Sequence, residues 1–182
     1  MNLMDMVLNA QNGESVRQLG KNFGLAENDT QEAVRQLMPA LSRGVKRNIV
    51  SEDGLNSLLA ALGSGRHQRY IDRPEELGRG DAQIDGNNIL GHILGSKEVS
   101  RKVAGAASGK TGIDIGLLKK MLPMIATMAM GALSKQSASQ GMTNAPGGGQ
   151  SSGAMDMLSS FLDADKDGSA LDDLLGMAGK FF

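Results

Sequence analysis

Oxygen ligands with calcium-binding spacing are concentrated near the C-terminus of the chain. In the stretch Asp163-Ala-Asp-Lys-Asp-Gly-Ser169, three carboxylates occupy alternate positions, and a glycine and a serine follow them. The stretch matches positions 1, 3, 5, 6 and 7 of the EF-hand calcium loop, where the glycine permits a sharp turn and the next residue offers its carbonyl oxygen. Leucines at helical spacing lie on both sides. The pattern predicts a helix-loop-helix that binds Ca²⁺.

The loop departs from the EF-hand pattern at its last ligand. Leu174 stands at position 12, where a bidentate glutamate is expected, and Asp172 and Asp173 precede it. Either Asp173 closes a shortened loop, or water completes a weak site. The alternative without an ion is a solvated acidic turn that caps a helix. The predicted metal ligands are Asp163, Asp165, Asp167, Ser169 and Asp173, with Ca²⁺ as the candidate cofactor.

A second group of polar side chains lies in a charged, glycine-rich loop over residues 63–81. Arg66, His67, Arg69 and Tyr70 combine cations with groups that exchange protons, so they could contact an anionic substrate. This loop supplies the alternative function, a small enzyme or an anionic-ligand binder.

The histidines and serines do not form a recognisable catalytic set. His67 is expected to be a solvated loop residue, and His92 a partly buried structural residue on a helix. Neither has a second histidine or a carboxylate at metal-ligand spacing, and no serine lies in a G-x-S-x-G elbow. We therefore predict that the chain is not an enzyme.

Composition and charge exclude several classes of function. The 182 residues include 19 Lys and Arg against 20 Asp and Glu, a net charge of −1 that does not attract nucleic acid or anionic lipid. Aromatic residues make up 3%, too few for base stacking. The chain has no cysteine, which excludes disulfides and thiolate metal sites. A nucleic-acid partner is not expected.

The apolar segments predict neither a secretory signal nor a membrane span. The first eight residues contain no basic residue and include Asp5, so a cytoplasmic location is expected. The most apolar run, residues 121–133, is shorter than the roughly 20 residues that cross a bilayer and contains Pro123. We expect a buried core helix there, with membrane association as an alternative. A methionine-rich apolar helix is also a possible homo-oligomer interface.

Hydrophobic periodicity is helical almost everywhere, so the predicted fold is all-α, a compact multi-helix bundle. A capping box predicts a helix start at Asp29, and Pro39 predicts a kink or a break near Met38. Further helices are expected from Ser51, and from Asn87 or Asn88 to Gly95. Two more are expected after Ser96 and from Asp114 onward.

The two proline-containing helices resemble each other together with their surroundings. Gly24-Leu25 and Pro39 match Gly112-Ile113 and Pro123, with a difference in spacing of four residues, about one helical turn. This resemblance suggests two duplicated, Pro-kinked helical units.

A change in composition divides the chain into three regions. Residues 1–135 are expected to form the helical core domain, and residues 136–153 are a Gly, Ser and Gln-rich linker. Residues 154–182 form the acidic, EF-hand-like module. From Ser151 onward there are six aspartates and two lysines, a net charge of −4.

Two runs of the core resemble a known bacterial family. The first is Asp85-Gly-Asn-Asn-Ile-Leu-Gly-His-Ile-Leu-Gly95, and the second joins Thr111-Gly-Ile-Asp114 to the segment from Leu118 to Leu133. In order and spacing they are similar to a bacterial domain-of-unknown-function family typified by YidB-like proteins, over residues 1–135. The resemblance implies a small all-helical protein and brings no reaction or catalytic residue. We expect a non-enzymatic interaction protein with an unidentified protein partner and a weak calcium-binding loop.

Overall fold

The computed structural model describes residues 2–139 together with Leu158 and Ser160, and the regular elements in this part of the chain are all helical. The all-α prediction is therefore confirmed. The α-helices are α1 (Leu3–Leu8), α2 (Glu14–Phe23), α3 (Glu27–Ile49), α4 (Glu52–Gly63), α5 (Arg69–Asp72), α6 (Gly80–Leu94), α7 (Lys97–Thr111) and α8 (Ile115–Ser139). Two 3₁₀ segments, Ala10–Gly13 and Pro74–Gly78, precede α2 and α6.

The last long helix, α8, forms the centre of the bundle. It packs against α6 and α7 most extensively and also against α1, α2, α3, α4 and α5. Every residue from Met121 to Ser134 is buried, as the prediction of a core helix requires. Among the described residues, α8 alone is long and apolar enough to cross a membrane, and 72% of its most apolar window is buried inside the protein.

Both interior prolines lie within continuous helices. Pro39 is inside α3 and Pro123 is inside α8, so of the two outcomes predicted near Met38, a kink or a break, the break does not occur. A proline removes one backbone donor from a helix. In α3, residues on both sides of Pro39, including Leu37 and Leu41, are buried in one core. This shared burial offsets the lost hydrogen bond and keeps the helix whole.

Local capping chemistry sets most helix ends where the sequence places them. Ser51 and Ser96 accept hydrogen bonds from Gly54 N and Val99 N, at 3.1 and 3.2 Å. The Asp114 carboxylate accepts one from Leu117 N at 3.0 Å. The positive φ of 77° at Gly95 ends α6.

Two helix starts were predicted wrongly. The helix α3 begins at Glu27 rather than after Asp29, because the Ala26 carbonyl already accepts from Thr30 N and from the Thr30 hydroxyl, at 2.9 and 2.8 Å. The helix α6 begins at Gly80, seven residues before Asn87. Its first half packs against α8, and that contact stabilises a sequence with weak helix propensity.

The two proposed units have matching architecture. The helices α2 and α7 both end at a left-handed glycine, Gly24 with φ 67° and Gly112 with φ 73°. Each glycine precedes a partly buried apolar residue, Leu25 or Ile113, and then a long helix with an interior proline. Packing between the units is reciprocal, since α3 contacts α6 and α7 while α8 contacts α1 and α2.

Glycines allow α8 to lie against its neighbours at close range. A Cβ added to Gly86 of α6 would lie 2.0 Å from the Pro123 carbonyl oxygen, and one added to Gly131 would lie 2.6 Å from the His67 carbonyl oxygen. The Thr127 hydroxyl lies 3.0 Å from the carbonyl oxygen of Ala82 on α6 and hydrogen-bonds to it. These contacts fix α5 and α6 relative to each other, with α8 as the common support.

Candidate functional site

The predicted reactive loop over residues 63–81 is folded into α5 and the second 3₁₀ segment. Tyr70 and Ile71 of α5 are buried, at 1% and 3% exposure, and α5 packs against α8. Pro74 begins the 3₁₀ turn that follows, and Leu77 is fully buried within it. The loop is therefore part of the core, and its polar side chains are positioned by that packing.

A hydrogen-bonded chain links α5 to α6 through the Tyr70 hydroxyl. Arg69 Nη2 donates to Tyr70 Oη at 2.6 Å, and Tyr70 Oη donates to Asp85 Oδ2 at 2.6 Å. Arg69 Nη2 also lies 3.5 Å from Asp85 Oδ2. The Arg69 guanidinium carbon is 4.6 Å from the centre of the Tyr70 ring, a distance suited to a cation–π contact.

Two further groups complete this arrangement. Glu76, which is 6% exposed, forms an ion pair with Arg73 at 2.8 Å, and its carboxylate lies 3.6 Å from Arg69 Nε. His67 stacks on the Tyr70 ring with 6.4 Å between centroids, and its Nδ1 is 4.0 Å from Asp85 Oδ2. We call the five residues His67, Arg69, Tyr70, Glu76 and Asp85 the Tyr70 cluster.

Burial favours the neutral forms of two members of the Tyr70 cluster, Tyr70 and His67. Burial and the hydrogen bond to Asp85 raise the pKa of Tyr70 to about 12. Burial lowers the pKa of His67 below its usual 6.5, against the opposing attraction of Asp85. His67 Nδ1 and Arg69 Nε are buried without a hydrogen bond. At neutral pH the Tyr70 hydroxyl is thus a donor, and His67 is uncharged.

His67, Arg69 and Tyr70 were predicted as candidate site residues, but their acidic partners were not. Asp85 and Glu76 lie on other elements and neutralise the charge of Arg69. Arg66, in contrast, is exposed and lies outside the cluster. The environments of the two histidines are the reverse of those predicted: the His67 side chain is 16% exposed, whereas His92 is exposed on α6. The contact of α5 with α8 buries His67.

Two surface clefts lie elsewhere on the described part of the chain. The first has a volume of about 400 Å³ and is lined by Asn22, Phe23, Gly78, Gln83, Lys120 and Met124. The second has a volume of about 490 Å³ and lies between α6, α7 and the first half of α8. Neither is lined by a member of the Tyr70 cluster.

The predicted calcium ligands, Asp163, Asp165, Asp167, Ser169 and Asp173, lie outside the described residues. Within residues 2–139, no group of three or more histidine, aspartate or glutamate side chains is arranged to hold a metal ion. The linker and the acidic module likewise fall outside this part, apart from Leu158, which is fully buried, and Ser160, which is exposed.

Comparison with known families places the helical core of the chain in a bacterial family. Residues 5–136 match the model of the family DUF937, described as a bacterial protein of unknown function. No curated protein and no solved structure matches the chain. The matched range covers α2 to α7 completely, together with most of α1 and α8.

Proposed function

The chain belongs to DUF937, a bacterial family of unknown function. We propose that it is a non-enzymatic interaction protein with a calcium-binding C-terminal loop. The mutual pairing within the Tyr70 cluster supports a role without catalysis. The alternating carboxylates of residues 163–167 support the second part.

The Tyr70 cluster has the properties of a structural connection between α5 and α6. A general acid or base needs a pKa near the working pH and access to the substrate. Tyr70, with a pKa of about 12 and 1% exposure, offers neither. Arg69 is engaged by Glu76 and Asp85, so its charge is less available to an anionic ligand. These contacts favour a scaffold over the alternative enzyme or anion-binding loop.

The acidic loop offers hard oxygen ligands in a pattern suited to Ca²⁺. Asp163, Asp165 and Asp167 supply three carboxylates, and Ser169 supplies a backbone carbonyl. Asp173 is the candidate to replace the missing glutamate. Because Leu174 stands where a complete EF-hand has its bidentate glutamate, the site should bind more weakly than a high-affinity sensor.

Calorimetric titration of Ca²⁺ into the chelator-treated full chain, with Mg²⁺ in parallel, tests the loop. We expect a binding event that is weakened at least about tenfold in the double variant Asp163→Asn with Asp165→Asn, because two charged ligands are removed. The matched control is Asp53→Asn with Asp81→Asn, which makes the same charge change at exposed positions of the helical core. The control should bind as the wild type does.

Two results would contradict the calcium assignment. One is a wild-type chain that takes up no Ca²⁺, because the loop would then be the solvated acidic turn of the alternative interpretation. The other is equal binding by the loop variant and the control variant, which would place the ion elsewhere.

The interaction role requires a protein partner or a second copy of the chain, in the cytoplasmic location that we propose. Light scattering coupled to size exclusion, with Ca²⁺ and with chelator, measures self-association directly. A change in mass with Ca²⁺ would identify a second copy as the partner. An unchanged monomer would direct the search to another protein.

A further inference from the structure

The larger of the two clefts has a form that suits a small ligand. Its volume of about 490 Å³ is within the range of small-molecule sites. Three helices line it, and its lining residues are Asn87, Leu90, Gly91, Gly95, Ser96, Lys97, Ser100, Arg101, Lys119 and Leu122. We call it the α6–α8 cleft.

The rim of the α6–α8 cleft is positively charged. Lys97, Arg101 and Lys119 all line it and are exposed, and no lining residue is acidic. None of the ion pairs found in the described part of the chain involves these three cations. The neighbouring carboxylate of Glu98 is 3.5 Å from Lys102 instead. The positive charge of the rim is therefore available to an anion.

The floor of the cleft is apolar and comes from two helices. Leu90 of α6 and Leu122 of α8 are 7% and 1% exposed, and both line the cleft. An inorganic anion would leave this surface without a partner. Leu90 and Leu122 are already nearly buried, but most of the surface that the cleft as a whole still exposes is apolar. An anion that carries a short hydrocarbon chain would cover that remaining surface, with about 25 cal/mol gained for each Å² of apolar surface removed from water.

Gly91 lines the cleft without a side chain. It lies inside α6, where a glycine costs roughly 0.5–1 kcal/mol relative to alanine. At Gly86 and Gly131 the close approach of α8 requires the absence of a side chain, but a Cβ added to Gly91 would meet no atom within 4 Å. Packing therefore does not require this glycine. A larger side chain at position 91 would extend into the space that the cleft provides.

We propose that the α6–α8 cleft binds a small amphipathic anion, a carboxylate attached to a short hydrocarbon chain. Lys97, Arg101 and Lys119 attract the carboxylate, and Leu90 and Leu122 contact the chain. The other cleft has a single cation, Lys120, in its lining, and lacks this combination. This proposal is independent of calcium binding, because the cleft is built entirely from the helical core.

Calorimetric titration of octanoate into the full chain tests the proposal, with acetate and octylammonium as comparison probes. We expect octanoate to bind, acetate to bind at least about tenfold more weakly because it covers no apolar floor, and octylammonium not to bind because its charge has the wrong sign. Vesicles of phosphatidylglycerol are tested in parallel. Binding to the vesicles without binding to octanoate would overturn the proposal in favour of a membrane surface.

Two kinds of variant locate the binding. Arg101→Gln with Lys119→Gln removes two rim cations, and the matched control, Arg79→Gln with Lys110→Gln, makes the same charge change at exposed positions outside the cleft. The rim variant should bind octanoate about tenfold or more weakly, since hydrogen bonds to a charged group are lost, and the control should bind as the wild type does. Equal binding by the two would overturn the proposal.

The second kind of variant fills the cleft with a larger side chain. Gly91→Leu places a side chain in the open space and should abolish octanoate binding, while its circular dichroism spectrum and Tm show that the helices remain folded. A folded Gly91→Leu protein that binds octanoate with wild-type affinity would contradict the assignment, as would a wild-type chain that does not bind octanoate at millimolar concentrations.

Discussion

Replacing Gly86 by alanine forces a methyl group into the contact between α6 and α8. The added Cβ would lie 2.0, 2.4 and 2.8 Å from the carbonyl oxygen, carbonyl carbon and Cα of Pro123. All three atoms belong to the backbone of a buried helix, so no side chain can rotate away. Ordinary contacts of a Cβ are 3.4 Å or longer, and α6 must therefore move outward by more than an ångström.

The energetic cost of this movement has three parts. Overpacking of a well-packed core costs typically 1–3 kcal/mol, and a rigid backbone neighbour favours the upper end. The Thr127 hydroxyl lies 3.0 Å from the Ala82 carbonyl oxygen and 2.9 Å from the Pro123 carbonyl oxygen, so it would keep an acceptor, and the loss of the Ala82 contact costs less than about 1 kcal/mol. In the opposite direction, replacing a glycine inside a helix by alanine stabilises the helix by about 1 kcal/mol. We expect a net loss of about 2–3 kcal/mol in the free energy of unfolding.

Gly91→Ala, five residues further along the same helix, is the matched control. Its Cβ meets no atom within 4 Å, so only the propensity gain of about 0.5–1 kcal/mol should remain. The two variants should differ by about 3 kcal/mol, or roughly 10 °C in Tm for a chain of this size. Urea denaturation followed by circular dichroism measures this difference. Similar stability of the two variants would refute the argument that α8 requires a glycine at position 86.

Three further predictions concern the Tyr70 cluster and one helix cap. Tyr70→Phe removes the donor to Asp85 and should lower the unfolding free energy by about 1.5 kcal/mol; an unchanged urea midpoint would contradict this. His67 has a lowered pKa in the folded state, so its stabilising contribution should be present above the usual pKa of 6.5 and decline as the pH falls below it. The wild type should therefore lose stability relative to His67→Gln between about pH 7 and pH 5, and parallel pH profiles would exclude this. Ser96→Ala removes the cap of α7 and should cost about 1 kcal/mol in thermal or urea denaturation, whereas Ser100→Ala, in the same helix, should cost less.

The parts of the fold that depend on local chemistry could be predicted from the sequence. A serine or aspartate that accepts from the amide three residues later marks the starts of α4, α7 and α8, as Ser51, Ser96 and Asp114 do. The burial of α8 followed from its apolar composition, and the end of α6 at the left-handed Gly95 followed from the position of this glycine after a periodic segment. These features require only neighbours within one or two helical turns.

The parts that depend on tertiary contact could not be predicted. The first half of α6 contains Gly80 and Gly86 and exposes Ile84 at 61%, so no helical periodicity is visible before the second half. This first half of α6 is helical because Gly86 lies directly against Pro123 of α8.

The set of residues that form the Tyr70 cluster also depends on tertiary contact and could not be predicted from the sequence. Tyr70 and Asp85 are 15 residues apart, and nothing in their local sequence connects them. Burial of His67 depends on Gly131, which allows α8 to approach the His67 carbonyl. Sequence reasoning could identify the polar residues of the loop, but only the packing of α5 on α8 shows that they satisfy one another.

The most direct test of the proposed function is a ¹⁵N–¹H correlation spectrum of the full-length chain during a Ca²⁺ titration. We predict that the amide signals of residues 163–173 shift while those of the Tyr70 cluster, including Tyr70 and Asp85, stay in place, because the acidic loop is the proposed calcium site. Shifts confined to the helical core, or a spectrum that Ca²⁺ leaves unchanged throughout, would contradict it.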